Sequence, residues 1–400
     1  MTLDELINDW NGLPSKDARI PLLNDETLRD GLQSPSVRDP DISAKRDLIH
    51  RLAHMGVDAV DLGMPGAGPK PLAAVRALMV EIRDHRLRIS PNVAVRTLEA
   101  DLVQVAEIQQ RAGMPLEAGA FLGSSPIRMD VEGWDLGFLV ATARQAIAFC
   151  HRHEVPVMMV TEDSTRARPD VLKAIYGAAM DEGAQSICLS DTCGHATPDG
   201  VRKLVRFIKD EVVKDRSVRI DWHGHNDRGL GVANALAAFE AGADRLHGSI
   251  LGIGERCGNV ALDQLMINLH LMGFHKGDLS DLPALAELVA ELCGMDIPAN
   301  YPVLGRDAFR TGTGIHAAAI VKALHRGDVE LADAVYSGVP AALVGRRQEI
   351  EIGPMAGHHN VVYWLEMNGY DPSPVRVDRI LQVAKNSPRI LSEVEIRAVL

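Results

Sequence analysis

Cysteine is scarce and scattered in this 400-residue chain. Cys150, Cys188, Cys193, Cys257 and Cys293 are odd in number and never fall into a CxxC pair. Neither a disulfide framework nor a structural zinc knot organises such a sequence, and the thiols read as reduced groups of a cytoplasmic protein. An excess of positive charge is missing too. The chain carries 42 Lys and Arg against 54 Asp and Glu, a net charge of -12. That balance excludes the broad basic face of a nucleic-acid binder, although a local Arg cluster can still receive an anionic substrate. No apolar run approaches the length of a bilayer span, so no membrane role is expected. The opening residues MTLDELINDW are acidic and lack the basic, apolar pattern of a secretion signal. Low-complexity linkers are absent, and 46% hydrophobic with 24% charged residues is ordinary globular composition.

What the sequence does contain is a rhythm. Short β-prone runs recur: RIPLLND near 20, VDAVDLG near 58, LRISPNVAV near 89 and LEAGAFLG near 118, then VPVMMVT near 157, SICLSD near 187, VRIDWHG near 220 and DRLHGSILG near 247. Helix-like segments such as SAKRDLIHRLAHMG, PDVLKAIYGAAMDEG and LGVANALAAFEAG lie between them, and several end in Gly, as a left-handed cap requires. Eight strand–helix units in roughly 255 residues is the length and period of a (β/α)₈ TIM barrel. An open doubly wound sheet would be complete with fewer units. The fold class predicted is α/β, with a barrel over residues 1–275 and a mainly helical C-terminal extension over 276–400. The extension contains the proline-interrupted connector IPANYPVLG and a short strand at RRQEIEIGP.

In such a barrel, chemistry gathers at the C-terminal strand ends. There the sequence reads NDETLRDGLQ after the first strand, TEDSTR after the fifth and SDTCGH after the sixth, with HGHND after the seventh and GIGERCGN after the eighth. His223 and His225 are two apart on one strand, so both imidazoles project to one face. Alone, an HxH pair reads as incidental polarity. Joined by Asp30, it becomes a two-nitrogen, one-oxygen ligand set for a divalent cation with open positions, and Asn259 could add a weaker oxygen. Arg29 beside Asp30 is either an ion-pair partner or a cation suited to a developing alkoxide. The glycine-rich GMPGAGP and GTG segments lack the strand–GxGxxG–helix context of a nucleotide site, and HHN at 358 reads as a polar loop.

LRDGLQ followed by IDWHGHNDRGLGVA resembles the metal-dependent acyl-CoA Claisen-condensing enzymes, namely the 2-isopropylmalate, homocitrate and citramalate synthases. GIGERCGN is similar to their eighth-strand loop, and TGTGIH to the catalytic segment of their C-terminal subdomain. The resemblance covers roughly residues 20 to 345. It implies a Mg, Mn or Zn ion held by Asp30, His223 and His225, with Asn259 at or near it. Arg29 would polarise a keto oxygen, Glu162 would take a catalytic role, and Gln33, Arg96 and Thr192 would bind substrate. It also implies acetyl-CoA and a 2-oxo acid as substrates, with 3-methyl-2-oxobutanoate the leading choice. A homodimer is implied as well, in which His316 and Tyr336 serve the partner's active site.

The sequence departs from that pattern in places. Leu32 stands where the synthases commonly carry Glu, which looks more like hydroxymethylglutaryl-CoA lyase, a relative that cleaves a C–C bond. Arg128 replaces a frequent His and His195 a frequent Tyr. Arg96 and Arg128 leave room for a dicarboxylic substrate such as 2-oxoglutarate. As it stands, the chain ends at Leu400 without the separate domain through which many isopropylmalate synthases sense leucine. A condensing synthase, a lyase or aldolase, and a non-catalytic barrel therefore remain as alternatives.

Overall fold

Parallel strands covered on both faces need continuous apolar runs, and the eight short runs of the sequence supply them. In the computed structural model, which describes residues 3–11 and 19–400, they form β1 (Leu22–Asp25), β2 (Ala59–Asp61), β3 (Ser90–Arg96), β4 (Glu117–Gly123), β5 (Val157–Glu162), β6 (Ser186–Asp191), β7 (Arg219–Gly224) and β8 (Arg245–Gly248). Met1, Thr2 and residues 12–18, inside the expected barrel domain, lie outside the described residues. The strands are parallel, follow one another in chain order and close into a barrel. The closing pair is β1 with β8, in register from Leu22 opposite Arg245 to Asp25 opposite Gly248. All six positions of β6 are buried. The expected (β/α)₈ fold is what the chain adopts.

Helices cover the barrel between strands. The first, α1 (Ile42–His54), starts where the Asp41 carboxylate accepts from the Ala44 N–H at 2.9 Å and ends with Arg51 and His54 in its last turn. An acid at the N-terminus and bases at the C-terminus suit the helix dipole. Its inner face buries Leu48, Ile49 and Leu52. No described helix is long and apolar enough to cross a membrane.

The described chain divides into two compact units: residues 19–277 with 284–296, which hold the barrel, and residues 3–11 with 278–283 and 297–400. The second unit is mostly helical, with helices Gly314–His325, His358–Met367 and Pro374–Asn386. One of its cores gathers Val361, Leu365, Val377 and Ile380, all fully buried. The expected short strand is present as Glu349–Ile350, paired in parallel with Arg310–Thr311. His358, His359 and Asn360 differ from expectation. They open a helix, where the Asn360 side chain accepts from the Gly357 N–H at 2.9 Å.

Strand alternation directs charges as well as apolar groups into the barrel. Asp221 receives Arg245 Nε at 2.5 Å, Arg219 Nε at 2.8 Å and His247 Nε2 at 3.0 Å. Glu117 receives both arginines at 2.6 Å. His247 gives its other nitrogen, Nδ1, to Glu26 at 2.9 Å. Charges this deep are tolerated only when each meets an opposite one. Here they alternate in sign from Glu26 at the level of the cavity down through His247, Asp221, Arg245, Glu117 and Arg219.

Candidate active site

The upper barrel opens into a cavity of about 330 Å³. Its lining takes mostly alternate strand residues, as the two-residue period requires. Ala94 comes from β3, Gly119 and Phe121 from β4, Met158, Val160 and Glu162 from β5, and Cys188 and Ser190 from β6. His223 and His225, at the end of β7, enter together. Their ring centroids are 5.1 Å apart and the rings nearly perpendicular. Asp30 lies across from both, its Oδ2 3.9 Å from His223 Nε2 and 3.8 Å from His225 Nε2. The three expected ligands thus converge, with one donor atom from each within 4.8 Å of the others.

Asn259 joins them from the eighth loop. Its Nδ2 donates to Asp30 Oδ1 and to the Ile253 carbonyl, both at 2.9 Å. The loop curls tightly for this purpose. Gly254 has φ +157°, and a Cβ there would strike Asn259 Nδ2 and crowd Asp30 Oδ1. Gly258, at φ +84°, would drive a Cβ into the Gly252 carbonyl oxygen. Only glycine serves at either position.

Whether these groups suit a divalent ion can be tested on their own chemistry. His225 Nδ1 and Asn259 Oδ1 are buried without a hydrogen-bond partner in the protein, a condition that calls for a ligand or water to complete it. Burial, with His223 close by, lowers the His225 pKa to about 4, so its imidazole is neutral at pH 7. Burial pushes the Asp30 carboxyl up, but Arg29 and the two histidines outweigh it and hold the group below its ordinary value. A carboxylate and a neutral imidazole are the forms that metal binding needs. The residues fit.

Arg29 sits beside this set with three nitrogens on three carboxylates: Nε on Asp61 at 2.9 Å, Nη1 on Asp30 at 2.6 Å and Nη2 on Glu26 at 3.0 Å. Glu26 also lies 2.7 Å from His223 Nδ1. Glu26, Asp61, Asn92, His247 and Glu255 line the cavity but were not singled out in the sequence. Strand parity is the signal that finds two of them, because Asn92 shares a face with Ala94, and His247 with Arg245.

A model of the HMGL-like family matches residues 21–289. The chain belongs to the HMGL-like family. Among its relatives, the 2-isopropylmalate synthase of Pyrococcus abyssi is 30% identical over 387 residues, 94% of this chain and 76% of that one. The 2-isopropylmalate synthase of Halothermothrix orenii is also 30% identical, over 94% of this chain and 72% of its own. In fold, the barrel is similar to an HMG-CoA lyase from Brucella melitensis, with TM-score 0.58, 21% identity, and coverage of 69% of this chain and 100% of that one.

The remaining expected residues of this HMGL-like chain fall into three places. Gln33, Glu162 and Thr192 line the cavity. Burial, with Asp163 and other acids nearby, raises the Glu162 carboxyl above its ordinary value despite Arg128. Thr192 also accepts the Asp163 N–H on its hydroxyl at 2.8 Å. Arg96 and Arg128 are committed elsewhere. Arg96 is bidentate on Asp101, at 2.7 and 2.9 Å, and does not line the cavity. Arg128 pairs with Glu132 at 2.9 Å, lies over the Trp134 ring and borders an adjoining groove. His316 and Tyr336, in the second unit, stack on each other with centroids 4.1 Å apart. One further donor group, His50, Glu81 and His85, lies on the outer helices, where Arg46 already holds the Glu81 carboxylate at 3.1 Å.

Proposed function

We propose that this enzyme condenses acetyl-CoA with a 2-oxo monocarboxylic acid bearing an apolar side chain, with 3-methyl-2-oxobutanoate the leading substrate and 2-isopropylmalate the product. The observation that carries this reading is one cavity holding the Asp30, His223 and His225 donors, the Arg29 guanidinium, and a wall of Ala94, Gly119, Phe121, Met158 and Val160. The wall suits an aliphatic side chain. A second substrate carboxylate would meet mainly acids, because Arg96 is paired with Asp101 away from the cavity and Arg128 is held by Glu132 with its Nε 3.9 Å from Glu162, while Glu26, Asp61, Glu162 and Glu255 line the cavity. This argues against the dicarboxylic substrate of a homocitrate synthase.

A Mg, Mn or Zn ion held by Asp30, His223 and His225 would polarise the carbonyl and help bind the carboxylate of the 2-oxo acid. Arg29, pinned by its three carboxylates, keeps a donor edge near that carbonyl and stabilises the oxyanion that develops on the keto oxygen. Glu162, Gln33 and Thr192 position the substrates. His316 and Tyr336, stacked as a pair, assist removal of the acetyl methyl proton and its return to the product alkoxide. Water then cleaves the thioester and releases CoA. We place these two residues over the barrel of the partner in a homodimer.

The test is a panel of 2-oxo acids with acetyl-CoA, following free thiol. Branched monocarboxylic acids are expected to turn over, and 2-oxoglutarate is not. Absence of thiol with every 2-oxo acid, together with cleavage of a hydroxyacyl-CoA, would replace the synthase with a lyase.

A further inference from the structure

Glu26 is in contact with two members of the site at once, although within NDETLRDGLQ nothing marks it out from its neighbours. It is 3% exposed, immediately after β1. One carboxylate oxygen, Oε2, lies at ion-pair distance from His223 Nδ1, 2.7 Å, without the alignment of a hydrogen bond. The other, Oε1, meets His247 Nδ1 at 2.9 Å and Arg29 Nη2 at 3.0 Å. We propose that Glu26 is a positioning residue that fixes the coordinating nitrogen of His223 and the orientation of Arg29 together, and so sets divalent-cation affinity. The proposal rests on Asp30, His223 and His225 being the metal site.

A carboxylate 2.7 Å from Nδ1 of His223 favours the ring proton on that nitrogen and leaves the lone pair on Nε2. In His223 that Nε2 is the atom turned toward Asp30. His225 receives no such help, because its Nδ1 has no partner. The carboxylate that orients an imidazole ligand is therefore supplied to His223 and withheld from His225. Glu26 itself cannot swing aside. His247 donates to it from one nitrogen and to Asp221 from the other, and Arg29 closes the third direction.

Glu26, His223 and His247 also bring donor atoms close enough to suggest an ion of their own. His247 is engaged on both nitrogens and Arg29 occupies Glu26 Oε1, so the triad holds the neighbouring site and takes no second cation.

The experiment measures Mn²⁺ affinity of the chelator-stripped full chain by competition with a metal indicator, with the visible spectrum of bound Co²⁺ as a second readout. Glu26→Gln keeps the volume but cannot accept on both sides, and is expected to bind Mn²⁺ about 10- to 100-fold more weakly with a changed Co²⁺ spectrum. Glu117→Gln, lower in the same charge chain, is expected to shift the melting temperature and leave Mn²⁺ affinity alone. Wild-type affinity in a folded Glu26→Gln chain overturns the proposal, as does a second tightly bound ion in the wild type. Should Glu26→Gln fail to fold, Glu26→Asp, one methylene too short to span both partners, carries the same test. Failure of the metal-site reading is distinguishable: Asp30→Ala would then bind Mn²⁺ as the wild type does, and the role of Glu26 would fall with it.

Discussion

Arg29 meets three carboxylates through three different nitrogens, a geometry that a planar fork satisfies and a point charge does not. Burial works against its charge, but Glu26, Asp30 and Asp61 more than reverse the penalty. Arg29→Lys should therefore fold, since an ammonium still neutralises part of the acidic cluster, and lose turnover on the order of 100-fold or more, as when an oxyanion donor is removed. Steady-state kinetics beside a melting curve check this, and near-wild-type turnover would reduce Arg29 to an ion-pair partner. At this scale the sequence was legible where chemistry is written as a compact motif. Asp30, His223, His225 and Asn259 stand in such motifs and converge in space. Glu26 and His247 were illegible because their meaning lies in a pairing across 221 positions of chain. Arg96 and Arg128 carry the charge a second carboxylate needs, but Asp101 and Glu132 claim it, and no sequence pattern announces such a partner.

Elements were easier to read than their junctions. Eight apolar runs gave eight strands because a barrel strand must be buried on both sides. The curl of the eighth loop was hidden, since it depends on backbone angles that glycine permits and other residues resist. Gly258 shows how much rests on that curl. Its carbonyl accepts the Asn226 N–H at 2.9 Å, and the next residue, Asn259, reaches Asp30. Gly258→Ala combines φ +84° with a Cβ aimed at the Gly252 carbonyl. It is expected to cost about 2 kcal/mol or more and to weaken Mn²⁺ binding by displacing Asn259. Chemical denaturation and the metal-indicator assay measure the two effects separately. Unchanged metal affinity would show that Asn259 does not support Asp30.

For the whole molecule, the proposed homodimer makes a demand that no single chain can meet. If His316 and Tyr336 complete the partner's barrel, an inactive His316→Ala chain mixed with an inactive His223→Ala chain should regain activity. Each mixed dimer then contains one site with both histidines intact, so recovery should approach about a quarter of wild type when subunits exchange randomly. No recovery despite demonstrated exchange would assign each barrel its own second unit. The barrel's charged interior bears on the molecule in another way. Glu26, His247, Asp221, Arg245, Glu117 and Arg219 alternate in sign, so neutralising one of them leaves the buried network with an unbalanced charge, at a cost of up to about 3–5 kcal/mol. Neutralising two neighbours of opposite sign together keeps the balance. The inside of this barrel is therefore a place where single substitutions are blocked and paired ones are open, and a lineage that once acquired this arrangement would find it hard to leave by single steps.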